Sequence, residues 1–373
     1  MTDRQRTLRI LGTRGVPAAH GGFETFAEYL SLYLVRQGWR AAVYCQAEGN
    51  GPIVEDRWQG VERVCIPVAH PGPWGTVIFD WKAIRHAAVH RDLCLTLGYN
   101  TAAFCALLRF KGIPNVINMD GLEWARSKWG PLAKTWLYVN ERLGCRLADH
   151  LVTDHPVIAQ RLRRFVPAGK IAMIPYGADS VRDTPTGPVI ELGLEPGRYL
   201  TLIARPEPEN SVLEMVRGFS QKRRNLCLAV IGDYDVKSVA YHRAVKAAAS
   251  DEVRFLGPIY DKDVLQTLRF HSWAYVHGHQ VGGTNPSLVE AMGAGNAVLA
   301  RDNKFNRWVA GPTARYFSQS EDFARQLADL CDAPEIMSEL QNGSVARFEE
   351  AYTWPNVLAE YEQLLERFVP QRA

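Results

Sequence analysis

Nowhere in this chain do about 18 apolar residues run together, the length a helix needs to cross a bilayer, so no membrane-spanning helix is expected. The seven cysteines (Cys45, Cys65, Cys94, Cys105, Cys145, Cys227 and Cys331) are odd in number, scattered and never in a C-x-x-C pair. That argues against a disulfide framework or a cysteine-built zinc site and fits buried thiols of a cytoplasmic protein. There is no low-complexity tract. Charge of neither sign dominates: the net value is +3 over 373 residues. Basic clusters such as Arg161-Leu162-Arg163-Arg164 and Lys222-Arg223-Arg224 read as solvated helix faces, and nothing resembles a nucleic-acid-binding module. Met1–Arg6 run almost directly into a strand-like Leu8–Leu11, which leaves no room for a secretory signal, so a cytoplasmic location is expected.

Two motifs are also missing. A dinucleotide fingerprint needs G-x-G-x-x-G and an acid closing the second strand. Here Gly12-Thr13-Arg14-Gly15-Val16-Pro17-Ala18-Ala19-His20-Gly21-Gly22 has the wrong spacing, and the second strand ends on Cys45-Gln46. Ser287 lacks the G-x-S-x-G elbow of a hydrolase. His277-Gly278-His279 has no third ligand at a recognisable spacing, and Asp233-Tyr234-Asp235 reads equally as a metal-holding D-x-D or as turn chemistry after Gly232. No metal or other cofactor is therefore expected.

What is present is an alternation of strand-like runs with helical periodicity, the mark of parallel α/β layers. The length suggests two domains of roughly 150–200 residues. Strands are expected at Leu8–Leu11, Ala41–Cys45, Leu93–Thr96 and Asn115–Asn118. A helix between the first two is read from Phe23, Phe26, Ala27, Leu30, Tyr33 and Leu34. Gly and Pro punctuate residues 181–197, the expected linker between an N-terminal Rossmann-like domain at 1–180 and a second at 198–351. Beyond it, strands are read at Tyr199–Ala204, Leu226–Ile231, Val253–Leu256, Trp273–Val276 and Ala297–Ala300. Residues 352–373 are expected to pack as a closing helix through Leu358, Tyr361, Leu364, Leu365 and Phe368. Two such halves place a ligand cleft at the carboxyl ends of their strands.

The strongest local signal is Val281-Gly282-Gly283-Thr284-Asn285-Pro286-Ser287-Leu288-Val289-Glu290-Ala291-Met292-Gly293. Such a loop offers backbone N–H groups and a positive helix end to an anion, and Glu290, one turn in, can accept hydrogen bonds from two sugar hydroxyls. Phosphate on the loop and ribose on the acid make a nucleotide site. Gly21 and Gly22 at a helix start either let a phosphate or sugar approach or serve only a tight turn. Arg205, after a strand, is either a surface ion-pair former or a guanidinium facing a diphosphate. Asp120, after the strand Asn115–Asn118, is either a turn residue or an acid that takes a hydroxyl proton or balances positive charge.

Together these motifs resemble the retaining family 4 glycosyltransferases of the GT-B fold. Gly12–Pro17 with His20-Gly21-Gly22-Phe23-Glu24-Thr25-Phe26, Asp120-Gly121-Leu122-Glu123-Trp124 and Gly282–Ser287 are similar to the bacterial rhamnosyltransferase-like members, which build surface polysaccharides. The resemblance spans both halves. It implies an α/β fold of two Rossmann-like domains. Glu290 would bind the ribose, and Arg205 and the amides around Gly21, Gly22, Gly283, Thr284 and Asn285 the diphosphate. Tyr260 would contact the base, while Asp120 and Asp154 would line the acceptor side. The donor implied is dTDP-rhamnose, with UDP- and GDP-sugars as alternatives, and the acceptor a lipid-linked or oligosaccharide hydroxyl. The family's first glutamate falls on Gly282 here and its lysine on Asn210; the narrower subgroup commonly lacks both. A lysine expected at Ala125 is replaced in function by Arg126 or Lys128. Retention would follow if the leaving phosphate took the acceptor proton on the same face, with domain closure excluding water. Two alternatives are a sugar-nucleotide epimerase of the same fold and a non-catalytic nucleotide-sugar-binding subunit. Trp74, Val77, Ile78, Phe79 and Trp81 near Lys82 and Arg85 read first as an ordinary core element, with contact with the inner face of the cell membrane as the alternative.

Overall fold

The computed structural model describes residues 6–19, 21–70, 72–119, 121–126 and 129–370. The chain divides into two compact units, one formed by Met1–Pro175 and Trp354–Ala373, the other by Tyr176–Thr353. Residues 181–197, expected as the linker, lie inside the second unit, where Val189 is fully buried. Its Gly and Pro residues bound a short helix rather than an extended tether.

In the first unit the order is β1 (Thr7–Leu11), α1 (Gly22–Arg36), β2 (Arg40–Glu48), β3 (Val54–Trp58), β4 (Val61–Val68) and α2 (Gly72–His90). There follow β5 (Leu93–Leu97), α3 (Ala106–Phe110), β6 (Asn115–Asn118), α4 (Pro131–Leu147), β7 (His150–Thr153), α5 (Pro156–Leu162) and β8 (Ile171–Met173). Among the described residues they form an eight-stranded sheet ordered β3-β4-β2-β1-β5-β6-β7-β8. Every pairing is parallel except β3 with β4, an antiparallel hairpin whose turn places Gln59 and Gly60 at positive φ, as a two-residue connection requires. The central strands read as continuous apolar runs because helices cover both faces.

The second unit runs α6 (Gly187–Glu191), β9 (Tyr199–Ile203), α7 (Val212–Ser220), β10 (Cys227–Ile231), α8 (Ala240–Ala247), β11 (Val253–Gly257) and α9 (Lys262–Phe270). It continues with β12 (Ala274–His277), α10 (Pro286–Gly293), β13 (Val298–Arg301), α11 (Lys304–Ala310), β14 (Arg315–Phe317), α12 (Ser320–Asp332) and α13 (Pro334–Ala351). Its sheet, ordered β11-β10-β9-β12-β13-β14, is parallel throughout. Leu200, Leu202, Val216, Phe219, Val276 and Leu299 belong to the core on one face. Tyr275, Leu288, Val289, Met292 and Ala300 belong to that on the other. The last helix, α14 (Trp354–Glu366), returns to the first unit. No helix among the described residues is long and apolar enough to cross a membrane.

Candidate nucleotide-sugar and hydroxyl-ligand sites

Strand order fixes where each unit can hold a ligand. In the second unit the chain builds outward from β9 through β10 to β11, then restarts at β12 on the other side. The loops after β9 and β12 therefore diverge and leave a crevice at the strands' carboxyl ends. Arg205 stands in the loop after β9 and residues 278–285 follow β12, so the topology brings the two predicted motifs to one place. Their backbones touch: the Gln280 amide donates to the Glu209 carbonyl at 2.9 Å, and the Gln280 side chain donates to Ser211 Oγ at 3.0 Å. The approach is so close that a Cβ on Gly278 would lie 2.1 Å from the Asn210 carbonyl oxygen, so glycine between the two histidines serves packing.

Asn210, where the family has lysine, is buried and turns its side chain onto the Arg205 carbonyl at 2.8 Å. It shapes the loop and leaves the Arg205 guanidinium exposed, with no ion-pair or hydrogen-bond partner among the described residues. Asn285 caps α10, its Oδ1 accepting from the Ser287 amide at 3.1 Å, and Pro286 opens the helix, a pairing suited to a helix start. Thr284 is buried, while Gly283 and Asn285 are half-buried.

Glu290 is not a solitary acid. Arg269, from the last turn of α9 and almost wholly buried, meets its Oε2 at 2.5 Å. Tyr275 and Ser287 share a hydrogen bond of 2.7 Å, and Arg269 reaches Ser287 Oγ at 3.4 Å. About a third of the Glu290 side chain stays accessible. The carboxylate is thereby fixed in direction, suited to a pair of hydroxyls. Arg269 escaped the sequence reading because its meaning lies wholly in this tertiary pairing. His277, buried and stacked 4.5 Å from the His279 ring, has its pKa held well below the ordinary value by burial. It is a neutral ring of the core. Asp235 Oδ1 accepts from the Lys237 and Ser238 amides, both at 3.0 Å, so the D-x-D segment is a turn. Tyr260, 78% exposed, follows the edge strand β11, two strands from the crevice.

The first unit repeats the logic. Its order reverses between β1 and β5, and there a cavity of about 260 Å³ opens, lined among others by Arg14, Glu24, Asp80, Gly98, Asn100 and Thr101. Gly21 precedes α1 and Gly22 opens it, with no side chain capping the helix. Two acids of α1 tie down the loop before it: Glu24 accepts from the Arg14 amide at 3.1 Å and Glu28 from the Ala18 amide at 2.6 Å. Asp80, unmarked in the sequence, is deeply buried with Thr101 Oγ1 donating to it at 2.7 Å. Burial raises its pKa to about 6. Glu24 and Asp80 put two carboxyls in the lining, acceptors suited to hydroxyl donors.

Asp154 is half-buried just after β7. Arg126 is paired with Glu123 at 2.8 Å, in a segment that Tyr99 fastens by accepting from the Glu123 amide and donating to the Gly121 carbonyl. Asp120, Lys128 and His20 lie outside the described residues. In the stretch weighed as core or membrane-facing, Trp74 and Trp81 are exposed, but Phe79 is core and Ile78 packs against it.

Residues 5–179 match the family model described as a domain of unknown function (DUF1972), and residues 196–344 match the model for glycosyl transferases group 1. No curated protein matches by sequence. Among solved structures, a sucrose-phosphate synthase from Thermosynechococcus elongatus is similar at a TM-score of 0.82, with 18% identity over 98% of this chain and 99% of its own. Anabaena HepE, solved with UDP, gives 0.74, with 14% identity over 97% and 100%. A UDP-forming trehalose-phosphate synthase from Burkholderia xenovorans gives 0.72, with 11% identity over 98% and 99%. At these identities the likeness establishes the fold: α/β, with two Rossmann-like sheets as in GT-B glycosyltransferases.

Proposed function

We propose that this glycosyltransferase, whose residues 5–179 match DUF1972 and 196–344 glycosyl transferases group 1, takes its sugar from a nucleotide diphosphate and transfers rhamnose from dTDP-rhamnose, with retention, to a lipid-linked or oligosaccharide hydroxyl in bacterial surface-polysaccharide synthesis. The observation that carries the donor half is the crevice between β9 and β12, where exposed Arg205, the Gly283–Asn285 loop and the Arg269-held Glu290 converge. Arg205 and the α10 amides stabilise charge on the departing diphosphate, and Glu290 takes the ribose hydroxyls. The rhamnosyl donor rests on the likeness of the Gly12–Pro17 and Gly282–Ser287 motifs to that subgroup; UDP- and GDP-sugars are the alternatives, and HepE's complex with UDP keeps the first in view.

The acceptor half is supported by the hydroxyl-favouring cavity with Glu24 and Asp80. In the transfer, the bond from the anomeric carbon to phosphate breaks and the acceptor oxygen bonds to that carbon on the same face. Its proton passes to the leaving phosphate oxygen. Asp120, with Asp154, Arg126 and Lys128 on the acceptor side, orients the acceptor or balances the ring's charge. Exposed Trp74 and Trp81 beside Lys82 and Arg85 on α2 suit contact with an anionic membrane surface.

The test is to screen the purified chain for saturable binding to dTDP-, UDP- and GDP-sugars, then assay the best binder with lipid extracts and with anionic liposomes. Acceptor-dependent transfer of rhamnose, with co-sedimentation, is expected. Turnover without acceptor would make the protein an epimerase, and binding without turnover would make it a non-catalytic subunit.

A further inference from the structure

Away from both crevices, at the hairpin edge of the first unit, three side chains from two elements point at one spot. Glu55 stands on the antiparallel edge strand β3. His86 and His90 sit four residues apart on α2, hence on one helix face. Their ligand atoms all lie within 4.8 Å of one another. His86 Nε2 is 3.3 Å from Glu55 Oε1, and the two imidazole centroids are 4.9 Å apart. We propose that Glu55, His86 and His90 form a binding site for a divalent zinc-class ion that staples the β3–β4 hairpin to α2.

The donor set decides the metal class. Two imidazoles and one carboxylate suit zinc and its first-row neighbours, whereas calcium and magnesium prefer sites built from oxygen alone. Zinc–nitrogen bonds of about 2.0–2.1 Å put tetrahedral ligand atoms roughly 3.3 Å apart. The His86–Glu55 pair already has that spacing, and the third ligand needs only a small side-chain movement. Glu55 is more than half exposed, so solvent supplies the fourth ligand.

The surroundings are built accordingly. His86 Nδ1 lies 3.0 Å from the Tyr44 hydroxyl, a buried group that can hold the proton on Nδ1 and turn the Nε2 lone pair outward, the usual outer support of a metal-bound histidine. Arg9, the nearest buried cation, reaches the same hydroxyl at 3.4 Å, but its charge is matched by Asp92 at 2.9 Å. The metal would therefore not face an unbalanced positive charge. Earlier turns of α2 carry Thr76, Phe79 and Asp80 into the cavity, so the staple would fix the helix that forms a wall of that cavity while touching no proposed reacting group.

Full-length protein freed of metal by chelation should bind one equivalent of Zn²⁺ in calorimetry. Co²⁺ in its place should give tetrahedral d–d absorption without a thiolate charge-transfer band. Glu55→Gln, at an exposed position that leaves the fold alone, and His90→Gln should each weaken binding by tenfold or more, and Tyr44→Phe by roughly tenfold to a hundredfold. Circular dichroism of each variant separates lost binding from lost structure. A thiolate band, unchanged affinity in the Glu55→Gln/His90→Gln double variant, or no saturable binding by the native chain would overturn the site.

Discussion

Glu290 and Asp80 are both acids at strand-end crevices, yet their surroundings differ. Arg269 meets the Glu290 carboxylate directly. Replacing it by glutamine keeps a hydrogen bond to Arg269 but loses the charge-assisted bonds to a ribose, a loss of about 1.5–3 kcal/mol in nucleotide binding. Calorimetric titration of Glu290→Gln with the best-binding sugar nucleotide measures this; unchanged affinity would remove Glu290 from the ribose. Asp80 makes no ion pair among the described residues, and burial lifts its pKa from 3.8 to about 6. A raised carboxyl pKa means that the fold prefers the protonated form. The resulting cost is absent below about pH 4, where folded and unfolded chains both hold the proton, grows between pH 4 and 6, and is full above 6. Asp80→Asn should therefore be more stable than the native chain at pH 8 by up to about 3 kcal/mol, and nearly equal to it at pH 4. Denaturant melts at the two pH values give the comparison. A native protein that keeps this strain at neutral pH is expected to use the acid, so the same variant should show a raised acceptor KM.

Among the elements, α10 links local sequence most directly to function. Its cap, its proline and the two glycines before it lie within five residues, so the helix start could be read before any fold was known. Asn285→Ala removes the acceptor for the Ser287 amide and should cost about 1 kcal/mol of stability. Because the same turn carries the amides proposed to face the diphosphate, donor KM should rise more than kcat falls; a pure loss of stability with an unchanged KM would make the cap merely structural. The central strands were equally legible, since Leu8–Leu11, apolar but for Arg9, and Leu228–Ile231 bury both faces. The edge strand Val54–Trp58 was not: it is Val-Glu-Asp-Arg-Trp, largely exposed, and carries the charges that protect a sheet edge from further pairing. Strands β8 and β14 are too short to establish a period. Site residues supplied by long-range packing stayed hidden for a similar reason. Arg269 looks like any helix arginine, and Asp80 sits within a stretch whose aromatics invited a membrane reading.

At the scale of the whole molecule, the chain leaves the first unit after Pro175, builds the second, and returns at Trp354. That return follows from the sequence of α14. Trp354, Val357, Leu358, Tyr361, Leu364 and Leu365 form one buried face. Phe26 of α1 meets Tyr361 with ring centroids 4.6 Å apart, and Tyr29 stacks on Trp354 at 4.5 Å. Asn118 Nδ2 donates to the buried Tyr361 hydroxyl at 2.8 Å, tying the C-terminal helix to the end of β6. Burying a large apolar side chain gains roughly 1.5–3 kcal/mol, so six of them approach the whole net stability of a typical domain, about 5–15 kcal/mol. The expected outcome of ending the chain at Thr353 is thus selective: hydrogen exchange read by mass spectrometry should accelerate throughout β1, β2, β5 and β6. Strands β9, β10 and β12 should keep their protection, because every strand of their sheet lies within Tyr176–Thr353. Nucleotide binding should persist in the truncated chain while transfer is abolished. Loss of protection in both sheets together would mean that the second unit cannot hold its fold once the first has lost its last helix.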